Sequence, residues 1–241
     1  MIIFDIALLF VAVLGGAIAS ISGFGIGSVI TPLLALKIGT GLAVAGVSIA
    51  HFLGTALRFW MWKQYINKRV LLSFGITSAI GGLIGALCHN IFQNIILTII
   101  FGSLLVFAGF SGLTGMSGKW RFNGTMAWIA GALSGVFGGL VGNQGGIRSA
   151  AMFGFDLKGK EFIATATGIA LAVDCARMPV YLIVQWKDVL SIWPLIVFAS
   201  IGVLIGTEIG VWTFRKIPEA VFKKVVSGII LLIGIFVLIH R

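Results

Sequence analysis

Long apolar runs alternate with short basic clusters along the whole chain. The runs cover about residues 3–22, 28–36, 41–62, 70–88, 91–115, 125–141, 147–155, 162–185, 189–212 and 220–239. A helix rises about 1.5 Å per residue and a bilayer's hydrocarbon core is about 30 Å thick, so about 20 apolar residues span it. Most of the runs reach that length and predict spanning helices. Two runs, 28–36 and 147–155, are about half as long. Each follows a glycine cluster, Gly23-Phe24-Gly25-Ile26-Gly27 in one case and Gly142-Asn143-Gln144-Gly145-Gly146 in the other. Each cluster predicts a break followed by a half-length helix.

The two breaks suggest an internal repeat. A shift of 119 residues places Leu14, Gly16, Gly23, Gly27, Ala45 and Arg58 on Leu133, Gly135, Gly142, Gly146, Ala164 and Arg177. Farther on, residues 80–85 (IGGLIG) resemble residues 201–206 (IGVLIG). The repeats span 1–115 and 125–241, with residues 116–124 as a polar linker. Lys and Arg mark cytoplasmic loops, so their distribution tests the path of the chain. If each broken element crosses once, the two sides carry seven basic residues each. If each element is a hairpin turning at its glycines, one side carries eleven and the other three, namely Lys37, Lys187 and Arg241. The hairpin arrangement fits the rule. It gives five helices per repeat, an odd number, so the repeats are inverted, the linker is cytoplasmic and both termini lie outside. The expected fold is an all-α membrane protein with two inverted repeats, each opening with a glycine-broken hairpin. Inverted repeats with broken helices mark secondary transporters, whose sites lie near the membrane midplane.

Composition supports this reading. Of 241 residues, 59% are hydrophobic and 10% charged, against about 25% charged in soluble domains. The formal net charge of +10 would suggest nucleic acid on a soluble protein. Here the basic residues flank apolar runs, so no nucleic-acid partner is expected. Cys88 and Cys175 lie far apart in apolar runs and make neither a disulfide framework nor a metal site. Ala17-Ile18-Ala19 resembles a signal-peptide cleavage site. No basic residue precedes it and a similar segment recurs mid-chain, so the first run is expected to stay in the fold.

Three groups of residues carry candidate chemistry. The glycine clusters can act as packing surfaces, because small residues let helices approach closely. They can also form hairpin tips whose backbone N–H groups and helix dipoles bind an anion. On the second reading the substrate-binding candidates are Gly23, Phe24, Gly25, Gly27 and Ser28 at the first tip. At the second they are Gly142, Asn143, Gln144, Gly145 and Gly146. Arg58, Arg148 and Arg177 form the second group, each inside an apolar run where a charge costs about 2.5–3.5 kcal/mol. Arg58 can instead snorkel toward the Lys63 end, and Arg177 can pair with Asp174 at i−3. Arg148 has no acid nearby in sequence and is the first choice for gripping an anion. His51 and Asp174 are the third group, candidates for proton coupling. No metal pattern, hydrolase triad or P-loop is visible, so no cofactor and no ATP-driven step is expected.

Residues 23–32, GFGIGSVITP, resemble the glycine-rich, proline-ended signature of the TauE/SafE family of sulfite and organosulfonate exporters. The resemblance covers the whole chain, through its length, its two similar halves and both glycine segments. The second segment, GNQGGIRS at 142–149, departs from the signature. Ala151 stands where the first repeat has Pro32, and Arg148 is added. The resemblance implies a non-enzymatic secondary transporter in the bacterial inner membrane. It would move a small anion of the sulfite, thiosulfate or sulfoacetate type by alternating access, in lipid, with a homo-oligomer open. The competing class is an intramembrane enzyme acting on a lipid-linked substrate. That class needs clustered nucleophiles or acids, and only His51 and Asp174 are available.

Overall fold

Apolar runs with no water to satisfy their backbone must bond internally, so they form helices. The structure is a computed structural model that describes residues 2–92, 94–116, 125–143, 145–152, 155, 157, 159–213 and 219–240. Eleven α-helices occur among them: α1 Ile2–Ser22, α2 Ile26–Ile38, α3 Thr40–Trp62, α4 Lys68–His89, α5 Asn94–Thr114, α6 Thr125–Val141, α7 Gly145–Met152, α8 Gly159–Val184, α9 Trp186–Ser191, α10 Trp193–Thr213 and α11 Glu219–Ile239. No strand occurs among the described residues. Ten of these helices correspond to the ten apolar runs. The eleventh, α9, is a six-residue helix between α8 and α10. It shortens the run expected from 189, so that α10 begins at Trp193. Among the described residues, six helices are long and apolar enough to cross a membrane. The chain is an all-α, multi-pass membrane protein. Residues 117–124, in the expected linker, lie outside the described residues.

The breaks fall at the glycine clusters. Gly23 and Gly142 have φ of 82° and 72°, a left-handed conformation that only glycine adopts without strain. α1 ends at Ser22, α2 starts at Ile26 and α3 at Thr40; shifted by 119, these become Val141, Gly145 and Gly159, where α6 ends and α7 and α8 begin.

Packing follows the same correspondence. α1 packs along α10, α4 along α6, and α5 along α11; α3 packs on α10, α4 on α8, and α3 meets α8 in the middle. Exchanging α1–α5 for α6, α7, α8, α10 and α11 leaves this pairing unchanged, which is consistent with inverted repeats. Two of the interfaces are lined by glycines four residues apart. Gly202, Gly206 and Gly210 on α10 abut the carbonyls of Leu9, Val13 and Ala17; a methyl on Gly202 would lie 2.7 Å from Leu9 O, and one on Gly210 2.6 Å from Ala17 O. Gly131, Gly135 and Gly139 on α6 abut Phe74, Ser78 and Gly82 of α4 in the same way. With no water to drive apolar surfaces together, close backbone contact of this kind is what holds membrane helices to each other. Large apolar side chains such as Ile3, Leu72, Ile80, Trp193 and Leu232 are exposed, as a lipid-facing surface requires.

Candidate functional site

The two helix breaks meet. Gly27 packs on the other break so closely that a methyl there would lie 2.6 Å from Gly142 O, and Gly145 packs against Phe24. Ser28 Oγ donates to Asn143 Oδ1 at 3.4 Å. Arg148 on α7 reaches back to the first tip, where its Nη2 donates to Gly23 O at 2.9 Å. Gly25, with φ of 137°, backs onto Ile18, so a side chain there would be both strained and crowded. Gly146 lies in the α7 backbone, and Gln144 is outside the described residues. The two tips are therefore in contact with each other.

α3 and α8 supply the side chains beside the tips. His51, Thr55 and Arg58 recur at i, i+4 and i+7, which places them on one face of α3. Asp174, Arg177 and Tyr181, at i, i+3 and i+7, likewise share one face of α8. His51 Nδ1 lies 2.6 Å from Asp174 Oδ2, so the two proton-coupling candidates form one pair across the central interface. Thr55 Oγ1 is 3.3 Å from His51 Nδ1. Arg177 Nε and Nη2 both bond Asp174 Oδ1, at 2.9 and 2.8 Å. Its Nη1 donates to Gly138 O at 2.6 Å. All three nitrogens of Arg177 are thus occupied, and its charge is matched by the carboxylate. Tyr181 donates to Gly139 O.

Arg58 and Arg148 differ from Arg177. Both are as deeply buried, at 2% and 1% exposure. Arg58 offers Nη2 to Thr55 Oγ1 at 3.3 Å, and its Nε and Nη1 have no hydrogen-bond partner. Arg148 Nε and Nη1 have none either. The two cations repel one another. Asn143 Nδ2 is also buried and unpartnered. Among the described residues the deep charges are therefore three guanidiniums against the single carboxylate of Asp174, with free N–H donors on two of the three. A buried ion left without a counter-charge is strongly destabilising, so this arrangement has a place for negative charge. Arg58 does not snorkel; it turns into the core toward Thr55.

The sequence reading did not single out Thr55 or Tyr181. Thr55 was findable: it stands three residues before Arg58, as Asp174 stands before Arg177. Tyr181 bonds a carbonyl on another helix, a contact that spacing alone does not reveal. Among the described residues, no three His, Cys, Asp or Glu side chains gather to hold a metal ion.

No curated protein and no solved structure matches the chain. The sequence profile of the family described as sulfite exporter TauE/SafE matches residues 8–237, nearly the whole length. That family comprises membrane transporters and not enzymes. With an all-helical, multi-pass fold and two touching helix breaks already in place, the chain belongs to the sulfite exporter TauE/SafE family.

Proposed function

We propose that this protein is a secondary transporter that moves a small sulfur oxyanion or organosulfonate across the bacterial inner membrane by alternating access. The observation that carries the reading is the pair of buried, unmatched guanidiniums, Arg58 and Arg148, beside the two touching tips. An anion placed there would accept charge-assisted hydrogen bonds from both arginines and from Asn143 Nδ2. Guanidinium forks suit the several oxygens of a sulfite, thiosulfate or sulfonate group. With Arg177 neutralised by Asp174, the surplus charge of two favours a substrate carrying two negative charges, as thiosulfate and fully ionised sulfite do.

The repeats, 1–115 and 125–241, joined by the cytoplasmic linker at 116–124, would each contribute helices to both moving parts. α1 is glycine-packed on α10 and α6 on α4, so each break is carried by a tight pair made of one helix from each repeat. Rocking of these pairs about the central α3–α8 contact would expose the tips alternately to the two sides. The His51–Asp174 pair is the proposed proton carrier. Protonation of that carboxylate would release Arg177, so proton and anion occupancy would be linked through charge.

The test is thermal stabilisation of detergent-purified protein by a panel of sulfite, thiosulfate, sulfoacetate, taurine, sulfate and simple carboxylates. Dianionic sulfur oxyanions are expected to raise the melting temperature, and this response should disappear in Arg58→Gln and Arg148→Gln. A panel with no stabilising anion, or mutants that respond like the wild type, would overturn the site. Orientation is tested separately: a reporter fused after Arg241 should read outside the cytoplasm and one in the Lys63–Arg69 loop inside.

A further inference from the structure

His89 lies outside the anion site and has no part in the mechanism above. It ends α4 and is 1% exposed. Both ring nitrogens face backbone carbonyl oxygens. Nδ1 lies 2.6 Å from Leu140 O near the end of α6, and Nε2 lies 3.1 Å from Gly41 O in the first turn of α3. A carbonyl only accepts. A neutral imidazole has one N–H and one lone pair, so it can satisfy one of these carbonyls and must turn a lone pair on the other. The imidazolium has two N–H groups and satisfies both. The geometry therefore matches the protonated ring.

The position of this ring gives its proton a consequence. Gly41 N donates to Asn94 Oδ1 at 2.9 Å. Asn94, with Gly39, Thr40, Thr98 and His240, lines a cavity of about 320 Å³ between α2, α3, α5 and α11. In the other direction Leu140 stands two residues before Gly142, the break that adjoins Arg177. His89 thus ties the cavity wall to the second helix break. The groups facing the ring are Tyr181 on α8, with ring centroids 5.1 Å apart, and Arg177, also on α8, which repels a positive charge on it. From α3 and α6 it meets carbonyls. Asn94 of α5, beyond Gly41, does not titrate. A proton bound between two carbonyls, and opposed first by burial and then by one arginine, can be both held and released.

We propose that His89 is a proton-operated clamp. Protonated, it fastens the start of α3 to the end of α6 and keeps the cavity-side half of the protein closed. On losing its proton to water it keeps the Leu140 bond and drops the longer bond to Gly41, freeing the start of α3. His89 is a positioning residue acting through backbone, not an anion ligand. Its meaning as a gate rests on the transporter reading, whereas its protonation does not.

Two measurements on the full chain test this. Nitrogen NMR of protein labelled at histidine reports how many ring nitrogens of His89 carry a proton. Assignment comes from His89→Gln or, if that variant does not fold, by elimination from His51→Gln and His240→Asn. Both nitrogens should be protonated at acidic pH and one at alkaline pH. Amide exchange of residues 39–44, corrected for its intrinsic pH dependence, should accelerate about tenfold across the same step, the effect of losing one charge-assisted bond. In His89→Gln this segment should exchange with no such step. A ring with one protonated nitrogen at acidic pH overturns the proposal, and so does a step that persists without His89. If both results hold but no anion stabilises the protein, the clamp stands and the proposed anion site falls.

Discussion

Arg58 on α3 and Arg177 on α8 are related by the same 119-residue shift that superposes the two glycine breaks. Each is buried to within 2%, and each bonds the residue three positions before it. For Arg177 that residue is Asp174; for Arg58 it is Thr55. The carboxylate occupies Nε and Nη2 of Arg177 and cancels its charge. The hydroxyl takes one weak bond from Arg58 and cancels nothing, which leaves Nε and Nη1 free. One difference at equivalent positions thus separates an arginine that holds the α6 end, through Gly138 O, from one whose Nε and Nη1 have no partner. A repeat can keep a backbone arrangement in both halves while matching the charge of one cation and leaving the other unmatched.

The most severe way to break the comparison is Asp174→Asn. It removes the single buried carboxylate that, among the described residues, matches Arg177, and it takes the negative charge away from His51. Breaking a buried ion pair from one side costs about 3–5 kcal/mol, a large share of a typical folding stability of 5–15 kcal/mol. The melting temperature in detergent should drop sharply, and a bound dianion should restore part of it, since three unmatched cations then face the site. An unchanged melting temperature would mean that Arg177 does not depend on Asp174.

Next in size is Arg148→Gln, which should weaken anion binding by about a hundredfold or more, in line with removing one charged partner from a desolvated contact. Arg148→Lys should recover only part, because lysine keeps the charge but lacks the fork. Stability without anion should rise or stay level, as a repelling cation has gone. A large loss of stability would instead make Arg148 a strut for Gly23.

The smallest effect and the sharpest test is Thr55→Asp, which gives Arg58 the partner that Arg177 has. Anion affinity should fall about tenfold while the anion-free protein becomes more stable, the pattern expected when a structural ion pair replaces a binding charge. If titration calorimetry finds affinity unchanged, Arg58 is not part of the anion site.

Much of this architecture was legible in the sequence, for local reasons. Helix positions follow from run length against a fixed bilayer thickness, and the breaks at Gly23 and Gly142 follow from clusters that cannot sustain an apolar helix. The roles of the glycines were less legible. Gly202, Gly206 and Gly210 bring backbones together, whereas Gly23, Gly25 and Gly142 make turns at positive φ. Both groups read alike as small residues in apolar runs. α9 escaped notice because a six-residue turn between two long helices leaves no periodic signal.

By itself the sequence determined a bilayer-embedded helical chain with two glycine breaks, three arginines at membrane depth and a family signature. Only the tertiary structure decided which arginine is matched and which is free. His51 meets Asp174 across 123 positions and Arg148 meets Gly23 across 125, so neither contact can be read from spacing along one helix. The same is true of His89, whose two carbonyl partners lie on α3 and α6. Hydrophobic length and turn chemistry act over a few residues and are written in the order of the chain. The neutralisation of a buried charge depends on whatever group other helices bring within about 3–4 Å, and that is settled only when the helices pack.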